Sequence, residues 1–311
     1  MSDADLQTLQ VRANQGDAAA QTELAGRMLV GRGAPWAPEE GMRLLRAAAD
    51  RDEPAALRLM AVLAALGEGR PQSWSDARAL VERAAALGDA QAQGALDVIG
   101  ADIDPWLKPP PGRVQIEAQR VATFDAFLPP AACAWIMDRA RPKLEAARVK
   151  NPERGGANTD SYRSNTGMGF SALDTDLVLQ LTHARIAAAI GAPVMHQEPT
   201  NILHYTPGQQ YRPHFDFLDP GEAHFQRELQ AFGQRTVTFL IYLNDDYEGG
   251  ETAFPRLDWS FKGKAGDALM FWNVTREGRP DPMTLHAGTP PARGEKWLFS
   301  KWVRDRPLPL V

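Results

Sequence analysis

Apolar side chains recur at helical spacing through the first hundred residues, and the pattern repeats. ANQGDAAAQTELAGRML from residue 13, AADRDEPAALRLMAVLA from 48 and AALGDAQAQGALDVIG from 85 each place an acidic turn before a run of small and aliphatic residues. Asp17, Asp52 and Asp89 mark the copies, 35 and 37 residues apart. The glycine-bearing turns LVGRGAPW and ALGEGRPQ lie between them, followed by second helices around EEGMRLLRAAA and SDARALVERAAA. Helix–turn–helix units at this period, with small residues where helices cross, predict an α-solenoid over residues 1–103 rather than a plain alanine-rich bundle.

The stretch DPWLKPPPGR cannot continue a helix, and residues 104–112 read as a semi-rigid linker. Beyond it the periodicity changes. FLPPAACAWIMDRARPKLEAARV has the pattern of an amphipathic helix opened by prolines, and residues 175–190 suggest another. From about residue 200 short alternating runs dominate: TNILHYT, YRPHFDF, RTVTFLIYLN, ETAFPRL, DALMFWNV, TLHAGT and EKWLFSKWV. Turn residues separate them. Residues 113–311 are therefore expected to form an antiparallel sandwich or jelly roll with two flanking helices.

Composition narrows the possibilities. The 311 residues are 44% hydrophobic and 23% charged, with a net charge of −5, which gives no basic footprint for nucleic acid. A single cysteine, Cys133, excludes an internal disulfide and a thiolate metal cluster, and its apolar surroundings in AACAWIM predict a buried structural residue. The N-terminus MSDADLQTLQ lacks the basic and apolar regions of a secretory signal. No apolar run approaches the ~20 residues that span a bilayer. The expectation is a cytoplasmic protein with no membrane partner.

Candidate chemistry begins at YRPHFDF. His214 and Asp216 stand two positions apart, so on a strand they share a face and are either half of a metal site or two polar residues on a strand. Iron(II) oxygenases bind their metal through two histidines and one carboxylate, leaving the other positions open. His286, 70 residues beyond Asp216, can supply the second histidine. Ten residues further, Lys296 opens a strand at its inner end, a costly place for an ammonium unless an anion meets it. A dicarboxylic co-substrate chelating the iron at one end would present that anion at the other. Strand parity puts Lys296, Leu298, Ser300 and Trp302 on one face, and Thr236, Thr238, Leu240 and Tyr242 on another shared face.

His196-Gln197-Glu198 is a rival pair at the same spacing. Pro199 follows it directly, and it reads as solvent-exposed chain entering a strand. His183, His204 and His224 read as helix, outward-strand and loop residues.

The ordered motifs LHYTPGQQYRPHFDF, RTVTFLIYLND, EGGETAFP, KGKAGDALMFW and LHAGTPPARGEKWLFSKWVR resemble the catalytic domain of the prolyl 4-hydroxylases. The resemblance runs from about residue 113 to 304. It implies an α+β double-stranded β-helix, iron(II) held by His214, Asp216 and His286, and 2-oxoglutarate and O2 as co-substrates. It also implies that Lys296 meets the far carboxylate of 2-oxoglutarate, with Tyr205 and Thr238 as supporting donors and Trp302 as the family's pocket tryptophan. Ascorbate is a further expected ligand. RGGANTDSYRSNTGMGF resembles the loop that closes over a peptide in this family, with Arg163 and Tyr211 placed near the substrate. Thr289-Pro290-Pro291 departs from the family's usual turn. The carboxylate Asp216 argues for hydroxylation, because related halogenases carry a small residue there.

The first hundred residues resemble the Sel-type helical repeats, relatives of the tetratricopeptide repeats. The expected activity is hydroxylation of a prolyl residue in a protein or peptide, with release of succinate and CO2 and with the repeats helping to recruit the substrate. Hydroxylation of a free amino acid or small molecule is one alternative. A repeat-based interaction protein with a silent oxygenase core is another, and the complete HxD…H…K set speaks against it.

Overall fold

The computed structural model describes residues 3–146, 149–150, 157–158, 163–171 and 174–309. The chain forms two compact units. One holds Met1–Leu107 with Ser171–Ala184, and the other holds Lys108–Phe170 with Arg185–Pro309.

In the first unit, α1 (Asp3–Asn14), α2 (Ala18–Val30), α3 (Pro38–Ala49), α4 (Pro54–Leu66), α5 (Trp74–Ala86) and α6 (Ala90–Ile99) pack chiefly on their neighbours in sequence. That pattern belongs to stacked repeats. The structure corrects the expected register. Helices α2, α4 and α6 start after the cap residues Asp17, Glu53 and Asp89, a uniform 36 residues apart. Asp17 and Asp89 accept the N–H groups of Ala20 and Ala92, the usual duty of an aspartate cap. Asp52 stands one residue earlier, at φ +60°, in the left-handed position that Gly16 and Gly88 occupy in the flanking copies. Aspartate tolerates that region better than most residues, which disguised the register. Successive copies are tied together by Arg51, which donates to Gly16 O, and by Arg83, which donates to Asp52 Oδ1 at 2.6 Å. Leu9, Leu45 and Val81 recur at the same period and are all buried.

The expected linker does not begin as a linker. Asp104–Leu107 is a helical turn whose Trp106 is buried and donates Nε1 to Ile99 O at 3.2 Å. Asp176 and Leu177, also of this unit, border a small crevice with Val81 and Ala92.

The second unit is built on antiparallel sheets. The larger has eight strands in the order Arg113–Ile116, Val121–Phe124, Ala268–Trp272, Arg235–Tyr242, Lys296–Arg304, Thr200–Tyr205, Thr166–Phe170 and Glu145–Ala146. A four-stranded sheet runs Trp259–Phe261, Thr252–Phe254, His286–Gly288 and Tyr211–His214. Alternation along these strands turns Leu203, Tyr205, Leu240, Tyr242 and Leu298 of the large sheet and Phe254 of the small one into a shared core. Phe254 meets Phe271 edge to face at 5.0 Å. Burying each such side chain contributes roughly 1.5–3 kcal/mol. This is the jelly-roll domain that the alternating runs predict.

The proline-opened helix is shorter than the sequence pattern suggests. It spans Pro130–Ala140, and the RPK turn then tightens to a 3₁₀ geometry at Pro142 before Glu145–Ala146 joins the sheet edge. Cys133 is buried in this helix, where burial pushes its thiol up to about 12. Leu177–Ile190 is helical as expected. Much of RGGANTDSYRSNTGMGF lies outside the described residues, and its last five, Thr166–Phe170, are a strand of the large sheet rather than loop. No helix among the described residues is long and apolar enough to cross a membrane.

Candidate metal centre and co-substrate pocket

His214 ends the strand Tyr211–His214 and His286 begins the strand His286–Gly288, and the two are paired across the ladder. The chain leaves the strand after His214, so Asp216 reaches the same point from a bend rather than by strand alternation. One ligand atom from each residue lies within 4.8 Å of the others. His214 Nε2 is 3.6 Å from Asp216 Oδ1, and His286 Nε2 is 3.3 Å from Asp216 Oδ2. Each histidine gives its Nδ1 proton to a carbonyl, Arg212 O at 2.8 Å and Thr284 O at 3.0 Å. That bond fixes the tautomer and leaves the Nε2 lone pair facing the cluster.

Electrostatics agree with a cation site. Burial, reinforced by His286, lowers His214 to about 3, so its imidazole is neutral and able to ligate. Burial opposes ionisation of Asp216, but His286, His214 and the Thr238 hydroxyl outweigh it and hold the carboxyl well below its usual range. Two imidazoles and one carboxylate converging from one side are the donor set that non-haem iron(II) prefers, with positions left for other ligands.

The same cavity, about 500 Å³, runs from this cluster to Lys296. Lys296 is fully buried opposite Tyr205, and its Nζ has no hydrogen-bond partner among the described residues. The rings of Tyr205 and Tyr242 lie 5.3 and 5.6 Å from it. Burial lowers its ammonium to about 7, with Glu251 pulling the other way. Charging a buried amine without a partner is costly, and an anion that meets the ammonium offsets that cost. Leu298, Ser300 and Trp302 follow along the same wall, as parity requires. Trp302 carries the Arg235 guanidinium 3.6 Å over its ring, and its Nε1 is buried without a partner among the described residues. At the cluster's other side, Tyr211 stacks on His214 at 3.5 Å, and the Arg163 guanidinium lies 4.7 Å over Tyr211.

Two sequence expectations change. Thr238 does not turn its hydroxyl to the co-substrate end: it donates to Asp216 Oδ2 at 2.7 Å, supporting a metal ligand instead. Thr252, which the sequence reading missed, borders the cavity near Lys296 and bonds the Tyr242 hydroxyl at 2.8 Å. The rival HxE pair is not solvent-exposed either. Glu198 is held by Arg235 at 2.7 Å and by Arg304, and His196 Nδ1 meets Arg304 O at 3.0 Å, so the pair is a structural ion network. His204 faces away from the cavity but is buried, between Thr166 at 2.9 Å and Glu295 at 3.1 Å. His183 lies buried in a helix, and His224 in a short 3₁₀ turn.

Residues 200–304 match the 2OG-Fe(II) oxygenase superfamily. The chain is 34% identical over 205 residues to probable prolyl 4-hydroxylase 10 of Arabidopsis thaliana, covering 60% of this chain and 68% of that protein. It is 32% identical over 201 residues to prolyl 4-hydroxylase 1 of the same plant, covering 60% and 69%. Among solved structures, the viral collagen prolyl hydroxylase of Paramecium Bursaria Chlorella virus-1 in its 2OG complex aligns with 62% of this chain and 98% of that one, at 23% identity and a TM-score of 0.46. The matched superfamily and the His214, Asp216, His286 cluster make this an iron(II)- and 2-oxoglutarate-dependent dioxygenase.

Proposed function

The chain belongs to the prolyl 4-hydroxylase family, and from that premise we propose that it hydroxylates a prolyl residue in a peptide or protein. One C–H bond of the substrate becomes C–OH while 2-oxoglutarate and O2 become succinate and CO2. The carrying observation is the partnerless Lys296 ammonium in the same cavity as the three ligands. His214, Asp216 and His286 would hold the iron, which when bound supplies O2 activation coupled to oxidation of the 2-oxo acid. Lys296 takes the far carboxylate, and Tyr205 beside it offers a hydroxyl to the same group. Phe215, Tyr211 and Trp302 keep water from the reacting centre. Arg163, stacked on Tyr211, flanks the peptide.

The uniform 36-residue period supports reading residues 1–103 as Sel-type repeats that gather the polypeptide, with residues 104–112 leading into the catalytic part. Solenoid surfaces suit extended chains. Ascorbate as reductant and a cytoplasmic setting complete this reading. The test is mass spectrometry of proline-containing peptides incubated with iron(II), 2-oxoglutarate and the full chain. A +16 change on proline with matched succinate release is expected. Succinate release matched by oxidation of free amino acids, with peptides untouched, would overturn the peptide assignment.

A further inference from the structure

The hydrogen bonds behind Asp216 have a direction. A ligating carboxylate only accepts, so the single proton of Thr238, 2.7 Å from Asp216 Oδ2, is spent there. Thr238 Oγ1 can then only accept from its other neighbour. That neighbour is the Asn273 carboxamide at 2.9 Å, which must present Nδ2. The atom left over is Asn273 Oδ1, buried with no partner among the described residues. An unmet acceptor in a residue of 0% exposure is a desolvation cost that an apolar side chain would avoid.

Asn273 is held there by its backbone. Its N–H donates to Thr236 O at 2.8 Å, and its carbonyl accepts from Asp281 N at 3.0 Å. The Asp281 carbonyl accepts the Thr284 N–H at 3.1 Å and hydroxyl at 2.8 Å, and Thr284 O receives the His286 Nδ1 proton. One residue thus connects to two ligands, to Asp216 by its side chain and to His286 through a buried turn.

We propose that Asn273 is a positioning residue of the metal centre: by donating Nδ2–H to Thr238 Oγ1 its carboxamide anchors the hydroxyl that donates to Asp216, and so holds that carboxylate in its ligating orientation. The inference rests on the three-residue metal site and is independent of the substrate.

The test uses the full chain stripped of metal and titrated calorimetrically with cobalt(II). Wild type binds and His286→Ala does not; a wild type that fails to bind would sink the metal site itself. Asn273→Leu and Thr238→Val should each weaken cobalt(II) about 10- to 100-fold, the range for residues that orient metal ligands. The double variant should be no weaker than the worse single, because both break one chain. Thr238→Ser, which restores the hydroxyl, should bind within about threefold of wild type. Melting the metal-free proteins separates this from a structural role, which would lower stability and leave cobalt(II) affinity alone. Should Asn273→Leu fail to fold, Asn273→Ala takes its place. Cobalt(II) affinity within about twofold of wild type in the Asn273 variant, or losses that multiply in the double, overturns the proposal.

Discussion

His214 and His286 are direct partners across an antiparallel ladder, and each hands its Nδ1 proton to a carbonyl two residues before it. Two histidines 72 positions apart in sequence are therefore oriented by the same local device. Their Nε2 atoms converge because the strands pair, while each Nδ1 is fixed from within its own segment.

Removing any one ligand should remove metal. His214→Ala, Asp216→Ala and His286→Ala are each expected to abolish iron(II) binding and 2-oxoglutarate turnover while the far-ultraviolet circular dichroism stays native. His196→Ala should keep turnover, since His196 serves an ion network about Glu198 and Arg304. Retained turnover in His214→Ala, with loss in His196→Ala, would reverse the assignment.

Lys296→Ala should weaken 2-oxoglutarate strongly, because the far carboxylate would be buried without its charge partner at a cost of about 3–5 kcal/mol. Iron affinity should change little. Decarboxylation measured against 2-oxoglutarate concentration tests this, and an unchanged half-saturation point refutes the role.

The buried ammonium also predicts a pH dependence. With Lys296 lowered to about 7, the free site is mostly charged below pH 7 and mostly neutral above it. An anion that requires the ammonium must bind together with a proton above pH 7, so KM for 2-oxoglutarate should rise toward about tenfold per pH unit there. Stability follows the same group with a definite sign. The unfolded lysine titrates near ~10.4, so between pH 7 and that value the unfolded chain binds more protons and the ligand-free protein gains stability as pH rises. Below pH 7 the full penalty remains. Lys301, also lowered to about 7, contributes in the same direction, so the comparison is with Lys296→Met, whose melting temperature should climb less from pH 7 to about 9. Equal climbs would remove Lys296 as the source.

Deleting residues 1–112 should destabilise what is left. Leu177 and Asp176 border the crevice of Val81 and Ala92, and the buried Leu177, Val178 and Leu181 belong to the same helix. The truncated chain is expected to melt lower and to bind a hydrophobic dye. If it still folds, activity should fall more on a folded protein than on a short proline peptide. Equal losses on both would defeat recruitment by the repeats.

The His214, Asp216 and His286 cluster was legible in the sequence because HxD is local and a single histidine opens the short run TLHAGT downstream. What escaped depended on partners distant in the chain. Glu198 looked exposed beside Pro199, yet its partners are Arg235 and Arg304, 37 and 106 positions away. Parity set the face of Thr238 but could not choose the acceptor of its hydroxyl, which is Asp216. The jelly roll was readable from short alternating runs. The helix was over-read past Ala140 because the residues after Pro142 have helical composition, and only pairing at the sheet edge makes Glu145–Ala146 extended.

The uniform spacing of the cap residues Asp17, Glu53 and Asp89 carries a consequence for how this chain can change length. Because the caps and the buried Leu9, Leu45 and Val81 recur at one spacing, a 36-residue segment is the natural unit of exchange. Duplicating or excising one keeps the caps and these buried positions of the remaining copies in register. The helical part can thus be lengthened or shortened in whole steps, while an insertion of any other length would put left-handed glycines such as Gly16 and Gly88 out of phase with the turns that need them.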